Sequence, residues 1–225
     1  MYLIGKPVSS TQISVKGKKR IMIDFDAKAR EWDSSSSRAE RARIIAEAIR
    51  LRVPLSPTMT AIEYGCGTGL LSFALQPYLA KITLADSSDG MLAALREKLV
   101  AGGIENMEPV KMDLLTDPLQ RTGYDLVYTL MTLHHIAETD RILGRFYNIL
   151  DRWGFLCIAD LDQEDGSFHG PDFAGHKGFV RNDLAAKVKR AGFRSAEFTT
   201  VFNIVKEVDG GKKTFPLFLM VAEKA

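Results

Sequence analysis

The sequence predicts an α/β fold: a mostly parallel sheet of seven strands with helices on both faces and an antiparallel hairpin at its C-terminal end. Two observations carry this prediction. From about residue 60, short apolar runs alternate with helical patterns, which is typical of βαβ units. Near the end of the chain, two β-rich runs flank Asp209-Gly210-Gly211, whose residue types favour a hairpin turn.

Five parallel strands and two hairpin strands are expected. The fifth strand is apolar throughout, as a strand buried on both faces should be. The predicted strands are 60–64, 81–85, 108–112, 124–130, 155–159, 193–208 and 214–222.

The helices follow from apolar spacing and from capping residues. The serines at 34–37 supply N-cap candidates for the second helix, and Asn182 and Gly192 are expected to bound the last one. The predicted helices are 24–32, 37–52, 70–79, 90–100, 138–150 and 181–191.

Length and composition favour a single soluble domain. The chain has 225 residues, 46% of them apolar and 26% charged, which suffices for one sizeable core. Its net charge of +2 is too small to indicate a nucleic-acid surface. Cys66 and Cys157 lie in apolar or glycine-rich runs, so neither a disulfide framework nor a Cys-rich zinc site is expected.

The chain shows no apolar run of the ~20 residues that a membrane span requires, and no signal peptide at its start. A cytoplasmic location and no membrane partner are therefore expected. We expect a flexible arm over 1–22, N-terminal helices over 23–58 that cover a pocket, and the α/β domain over 59–225.

The central motif is Glu63-Tyr64-Gly65-Cys66-Gly67-Thr68-Gly69, between a predicted strand and a predicted helix. Glycines there allow a sharp turn and a close approach of the backbone to a ligand. The pattern is G-x-G-x-G, which differs from the G-x-G-x-x-G of dinucleotide-binding folds and from a Walker loop. Asp86 ends the next strand about 20 residues on, where an acidic residue can accept hydrogen bonds from ribose. Capping the following helix is the other possible role, but Asp89 is better placed for it.

These residues resemble motif I of the class I S-adenosylmethionine-dependent methyltransferases, and further segments resemble the motifs that follow it. The leading segment 25–33 is similar to that of the small-molecule branch, which includes the quinone-biosynthesis C-methyltransferase-like enzymes. The matching segments are 63–69, 86–92, 112–114, 124–127 and 133–136.

The resemblance implies S-adenosylmethionine as cofactor and S-adenosylhomocysteine as product. Asp86 would hold the ribose, and Asp113 would accept from the adenine amino group, although Asp113 could instead be a turn residue before Asp117-Pro118. The implied cofactor-binding residues are Glu63, Gly65, Cys66, Gly67, Asp86, Ser87, Met91, Asp113, Leu114, Thr129 and Leu130.

All four histidines follow the fourth or fifth strand, at the edge where open parallel sheets bind ligands. His134 and His135 are the predicted catalytic residues, as general bases, unless they simply begin a helix. A metal site from His169, His176 and a carboxylate ranks last, because His-x6-His is not a recognised ligand spacing, so no metal is predicted. The acidic residues near 160–165 could attract an amine-bearing substrate. The predicted substrate-side residues are Asp160, Asp162, His169, His176 and Trp32.

The sequence thus predicts a methyltransferase that acts on a small molecule by direct in-line transfer, for which positioning can supply most of the rate. The alternative is a non-catalytic or regulatory S-adenosylmethionine-binding protein of the same fold. A nicotinamide-dependent dehydrogenase is disfavoured by the glycine spacing and the terminal hairpin. The motifs of adenine-N6 and cytosine-C5 DNA methyltransferases are missing, so no DNA substrate is expected. The acceptor, the methylated atom and the oligomeric state stay open.

Overall fold

One seven-stranded sheet organises the chain, in a computed structural model that describes residues 24–119 and 121–225. The predicted arm at 1–22 lies outside the described residues. The strands are β1 (Thr60–Tyr64), β2 (Lys81–Asp86), β3 (Met107–Lys111), β4 (Tyr124–Leu130), β5 (Leu150–Leu161), β6 (Glu197–Val208) and β7 (Gly211–Glu223).

The strand order is β3-β2-β1-β4-β5-β7-β6. β1 pairs in parallel with β2 and β4, and β5 continues the parallel set beside β4. β7 then runs antiparallel to both β5 and β6. The predicted fold class, a mostly parallel sheet with a C-terminal antiparallel hairpin, is confirmed. Because β1, β2, β4 and β5 are parallel, the segments that follow them meet at one edge of the sheet.

Helices cover both faces of the sheet, as alternating strand side chains require. Ala61 of β1 belongs to the core under α2, α3 and α4, whereas its neighbour Ile62 belongs to the core under α5 and α6. The helices are α1 (Phe25–Lys28), α2 (Ser36–Arg50), α3 (Leu70–Leu75), α4 (Asp89–Gly102), α5 (Thr139–Ile149) and α6 (Arg181–Arg190). Not one of these described helices has the length and apolar character needed to cross a membrane.

Several predicted element boundaries were wrong. The helix expected over 24–32 is the single turn α1 followed by a 3-10 helix, Ala29–Ser34. The helix expected over 70–79 also changes to a 3-10 turn, Gln76–Tyr78, with Pro77 in its first turn. β6 begins at Glu197 rather than at 193, because the chain turns after α6 and Phe193 only bridges to Lys224.

Two capping assignments need correction. Val180 is the N-cap of α6, so Asn182 lies inside the first turn and does not cap it. Ser88 caps α4, accepting from the amide of Met91 at 3.1 Å, whereas Asp89 is the first helical residue. Ser35 is the N-cap of α2, within the serine run that the sequence indicated, but its side chain makes no capping hydrogen bond.

Candidate active site

The glycine loop between β1 and α3 has a backbone conformation that strongly favours glycine. Gly65, Gly67 and Gly69 have φ values of 68°, 54° and 80°, a region that residues with a Cβ rarely adopt. A Cβ on Gly65 would overlap the side chain of Thr132, whose hydroxyl lies 3.2 Å from the Gly65 carbonyl oxygen. The loop therefore packs directly against the segment that follows β4. Cys66 is a buried free thiol within it.

Asp86 ties this loop to the end of β2. Its Oδ2 accepts from the amide of Gly67 at 2.7 Å, and its Oδ1 accepts from the amide of Ser88 at 2.9 Å. Burial raises the pKa of Asp86. Since each carboxylate oxygen has two lone pairs, both retain capacity to accept from a ligand. Ser87 is exposed at this corner, and Met91 is buried behind it.

Glu63 lies beneath the loop rather than beside an open surface. Its side chain is 2% exposed, and the hydroxyl of Ser72 in α3 donates to it. Ser72 also lies 2.5 Å from the Tyr128 hydroxyl oxygen, which continues this buried chain into β4. Burial raises the pKa of Glu63 to about 8, so the side chain is mostly protonated at neutral pH.

Asp113 takes the turn role that the sequence left open. Its Oδ1 accepts from the amide of Leu115 at 2.9 Å and from the hydroxyl of Tyr64 at 3.1 Å. Within the described chain, Oδ2 has no hydrogen-bond partner. Leu114 is buried beside it, and its carbonyl accepts from Arg145 at 2.6 Å.

The segment after β4 carries features that sequence reasoning missed. Met131 has a φ of 55°, an uncommon backbone for a residue with a Cβ, and such strain clusters at ligand sites. Thr129, near the end of β4, is buried, and its hydroxyl has no partner among the described residues. Leu130 between them is half-buried. Neither backbone strain nor an orphaned hydroxyl has a signature in the sequence.

The N-terminal helices lie across the glycine loop and the start of α4. Asp26 accepts from the Ser88 hydroxyl at 2.5 Å and from the amide of Gly90 at 2.8 Å. Asp33 accepts from the Thr68 hydroxyl at 2.5 Å and pairs with Lys98 at 2.6 Å. These contacts hold the segment over the loop at two points.

Trp32 lies between those two anchors. Its Nε1 is 3.9 Å from the position that a Cβ on Gly67 would take. The guanidinium of Arg38 stacks 4.2 Å from the centre of its ring.

A histidine cluster lies at the same edge of the sheet, after β4 and β5. Asp160, fully buried at the end of β5, accepts from Nδ1 of His134 at 2.7 Å and from the amide of Leu161 at 2.7 Å. On the other side of its ring, His134 has Nε2 3.0 Å from Nε2 of His169. His135 packs edge-on between Phe25 and Phe173, with ring centroids 5.3 and 5.2 Å away.

The burial of these imidazoles decides their charge. His134 has no exposed surface, whereas His135 and His169 are partly exposed. Burial lowers the pKa of His135 to about 3 and that of His169 to about 4, so both rings are neutral at physiological pH. Of these three rings, only those of His135 and His169 are accessible to solvent.

The remaining substrate-side residues are bound elsewhere. Nε2 of His176 lies 3.1 Å from the hydroxyl of Thr139 and 2.9 Å from the carbonyl of Ile136, so the structure does not bring it to His169. Asp162 forms a two-point ion pair with Arg181 at 2.6 and 2.7 Å. Its neighbours Glu164 and Asp165 accept from backbone amides of their own loop, and Asp165 also pairs with Lys213. Each of these three carboxylates therefore has partners within the protein.

The sheet order, the glycine loop after β1 and the acidic end of β2 are those of a Rossmann-like methyltransferase fold. Residues 61–154 match a family model described as a methyltransferase domain. This match covers less than half of the chain.

Individual proteins similar to the chain are methyltransferases by name. The chain is 30% identical over 155 residues to an uncharacterized methyltransferase, C1347.09, of Schizosaccharomyces pombe, covering 62% of this chain and 55% of that protein. It is 24% identical over 200 residues to malonyl-acyl-carrier-protein O-methyltransferase 1 of Ilyobacter polytropus, covering 81% and 69%. A structure of a SAM-dependent methyltransferase from Aquifex aeolicus matches with a TM-score of 0.67 and 20% identity, covering 91% of this chain and all of that one. The chain spans about half the length of the Schizosaccharomyces pombe relative.

Proposed function

We propose that this protein transfers the methyl group of S-adenosylmethionine to a small-molecule acceptor and releases S-adenosylhomocysteine. The observation that carries the proposal is the hydrogen bond from the amide of Gly67 to Asp86, which places a half-buried carboxylate against the glycine loop. In the reaction, an acceptor lone pair forms a bond to the methyl carbon while the carbon–sulfur bond breaks and its electron pair stays on sulfur. Alignment of nucleophile, carbon and sulfur supplies most of the rate, so no covalent catalyst is required.

The cofactor would lie along the loop edge. Its methionine part would pass over Gly65, Cys66 and Gly67, with the unpartnered hydroxyl of Thr129 and the half-buried Leu130 on the opposite side. Thr129 and Leu130 immediately precede Met131, whose strained backbone would face the ligand.

The nucleoside part would lie at the ends of β2 and β3. Asp86 would accept from the ribose hydroxyls, with Ser87 and Met91 beside the adenine. The unpartnered Oδ2 of Asp113 would accept from the adenine amino group, with the backbone of Leu114 next to it. Glu63 would support the loop from beneath, since its own carboxyl group is bonded to Ser72 and buried.

The helices within 23–58 would cover this pocket. Asp26 and Asp33 hold them to the rim of the cofactor site, and Trp32 lies over the loop. A cover of this kind would exclude water from the sulfonium, which strengthens the electrostatic contacts around it.

We further propose that the acceptor carries an acid group. Arg41 in α2 is largely buried, its Nε has no partner among the described residues, and burial lowers its pKa to about 10. Asp160, the carboxylate whose charge acts on Arg41, is already bonded to His134 and two backbone amides. An arginine left with unused donors fits a carboxylate, which it can bind through two parallel hydrogen bonds. The relative named for malonyl-acyl-carrier protein is likewise named for an acid.

The cofactor assignment is tested with an Asp86→Asn variant and S-adenosylhomocysteine in a calorimetric titration. Removing the charge is expected to weaken binding about tenfold or more, because hydrogen bonds to a charged acceptor contribute about 1.5–3 kcal/mol. Asp89→Asn is the matched control, since Asp89 is three residues away, exposed and paired with Lys111 at 2.5 Å. Equal affinities in both variants and in the wild type would refute the assignment of the ribose to Asp86.

The acceptor class is tested by mixing the protein with S-adenosylmethionine and a panel of mono- and dicarboxylic acids, and by measuring S-adenosylhomocysteine release. Arg41→Met is expected to raise KM for the best acid about tenfold or more, the loss of a charge-assisted hydrogen bond. Arg43→Met, an exposed arginine two positions along α2, is expected to leave KM unchanged. Acids that turn over equally well in both variants would exclude Arg41 as the carboxylate-binding group.

A further inference from the structure

Three histidines lie close together at the edge of the sheet where β4 and β5 end, although they come from two separate segments. His134 and His135 belong to the 3-10 turn Leu133–His135 after β4, and His169 belongs to the loop after β5. One ring nitrogen from each lies within 4.8 Å of the other two. Imidazole nitrogens this close can converge on one metal ion if the side chains move toward it.

The closest pair has nearly the separation that a tetrahedral ion imposes. Two nitrogens that each lie about 2.0–2.1 Å from one tetrahedral zinc stand about 3.3 Å apart. Nε2 of His134 and Nε2 of His169 are 3.0 Å apart, and the two rings are stacked at an interplanar angle of 29°. A shift of a few tenths of an ångström would therefore admit an ion between them.

Asp160 prepares His134 for this role. The carboxylate accepts from Nδ1 of His134, so the other ring nitrogen, Nε2, has the lone pair that a metal needs, and it faces Nε2 of His169 within hydrogen-bond distance. The amides of His134 and Leu161 also donate to Asp160, so the carboxylate is fixed in place, with no exposed surface. A carboxylate that orients a histidine from behind is the usual outer support of a histidine metal ligand.

His135 supplies an independent observation. Its ring is partly exposed, and within the described part of the chain neither of its nitrogens has a hydrogen-bond partner. A ring nitrogen that bonds no protein group is available to bind an ion. His176 shows the contrast, because its Nε2 has two oxygen neighbours, on Thr139 and Ile136.

We propose that His134, His135 and His169 together bind a divalent transition-metal ion of the zinc class. Imidazole ligands favour zinc, iron, nickel or copper over magnesium and calcium, which prefer oxygen. Three protein ligands leave the ion a further coordination position for water or an acceptor oxygen. Lys28 and Lys206 lie near the cluster, and their charge favours an anion at that position.

Metal binding can be measured without any methyl transfer. The full chain, free of a histidine tag, is stripped with a chelator and titrated with Co²⁺, whose visible absorption reports tetrahedral coordination. Saturation at one equivalent, with the absorption abolished by stoichiometric Zn²⁺, is the expected result. A spectrum that stays that of hydrated Co²⁺ would refute the site, and it would leave the S-adenosylmethionine proposal untouched.

Variants identify the ligands. His135→Ala and His169→Ala are each expected to remove the tetrahedral absorption, while Asp160→Asn should weaken binding about 10–100-fold by releasing the orientation of His134. His176→Gln is the matched control and should bind as the wild type does. Affinity for S-adenosylhomocysteine shows whether each variant is folded. A folded His135→Ala/His169→Ala double variant that still binds Co²⁺ like His176→Gln would overturn the proposal.

Discussion

Replacing Glu63 with glutamine is expected to stabilise the protein, by an amount that grows as the pH rises. The fold buries this side chain completely between the glycine loop and α3, and burial raises its pKa to about 8 from an ordinary 4.5. The protonated form is the one the fold accommodates. Its contribution to stability is therefore fully present below pH 4.5 and is lost as the pH rises through about 8. Glutamine cannot ionise, so the variant escapes that loss.

The magnitude follows from the two pKa values. Each tenfold change in a protonation equilibrium corresponds to about 1.4 kcal/mol, so ionising the buried group costs the wild type up to about 5 kcal/mol. Between about pH 5 and about pH 9, the difference in unfolding free energy between Glu63→Gln and wild type should therefore change by about 4 kcal/mol. Every other titrating group is common to both proteins and cancels in this difference. The offset at low pH reports how well glutamine replaces the hydrogen bond from Ser72.

Urea unfolding followed by circular dichroism at several pH values measures this difference. Glu108→Gln is the matched control: Glu108 is exposed on β3, and its pKa is lowered by the hydrogen bond from Lys81, so its difference from wild type should not grow above pH 5. A difference for Glu63→Gln that is flat between about pH 5 and about pH 9 would show that Glu63 ionises normally, and the reasoning from its burial would be wrong.

Two further changes test how the glycine loop is held. Gly65→Ala should lower the unfolding free energy by about 2–4 kcal/mol in urea titrations, because a positive φ costs a residue with a Cβ about 1–2 kcal/mol and the new methyl overlaps Thr132. Gly103→Ala, with a φ of 61° and open space around it, should lose only the backbone share, and equal losses would exclude the overlap. Asp33→Asn should speed S-adenosylhomocysteine dissociation in stopped-flow measurements, because it loosens the contacts to Thr68 and Lys98. Glu31→Gln, at an exposed position, should leave the dissociation rate unchanged. Unchanged rates in both variants would mean that the helices do not gate the pocket.

The sheet was predictable because its signals are local. The runs that became β1 and β4 have the predicted bounds, since each is a short apolar segment that ends at a change of composition. The hairpin of β6 and β7 followed from turn chemistry at Asp209-Gly210-Gly211 in the same way. Helix ends were less predictable, because the cap of α6 is a backbone geometry at Val180 and not a preferred capping side chain.

The residues of the site differ in the same way: some have local sequence signals, and others are brought together only by the path of the chain. Asp86 and the glycine loop are linked by a hydrogen bond across 19 positions, and their residue types alone indicate a ligand. Asp113 shows the limit of this reasoning, because a carboxylate after a strand has the same signal whether it bonds a ligand or its own turn. The sequence also could not separate His169 from His176. Both follow β5, and only the path of the loop sends one to His134 and the other to Thr139.

The difference between the predictable and the unpredictable site residues has a physical cause, and that cause bears on which residues set acceptor specificity. The proposed cofactor half is built from backbone, so it constrains residue types strongly: glycine where a Cβ would collide, and a carboxylate where amides converge. The proposed acceptor half is built from side chains on segments up to 35 positions apart, such as His134 and His169, whose rings contact each other while Asp160 bonds His134. A change in the loop after β5 can therefore alter the acceptor or the proposed metal while β1, β2 and their glycine loop stay the same. Acceptor specificity in this protein should accordingly follow the geometry at the end of β5, and substitutions there should change KM for the acceptor without changing affinity for S-adenosylhomocysteine.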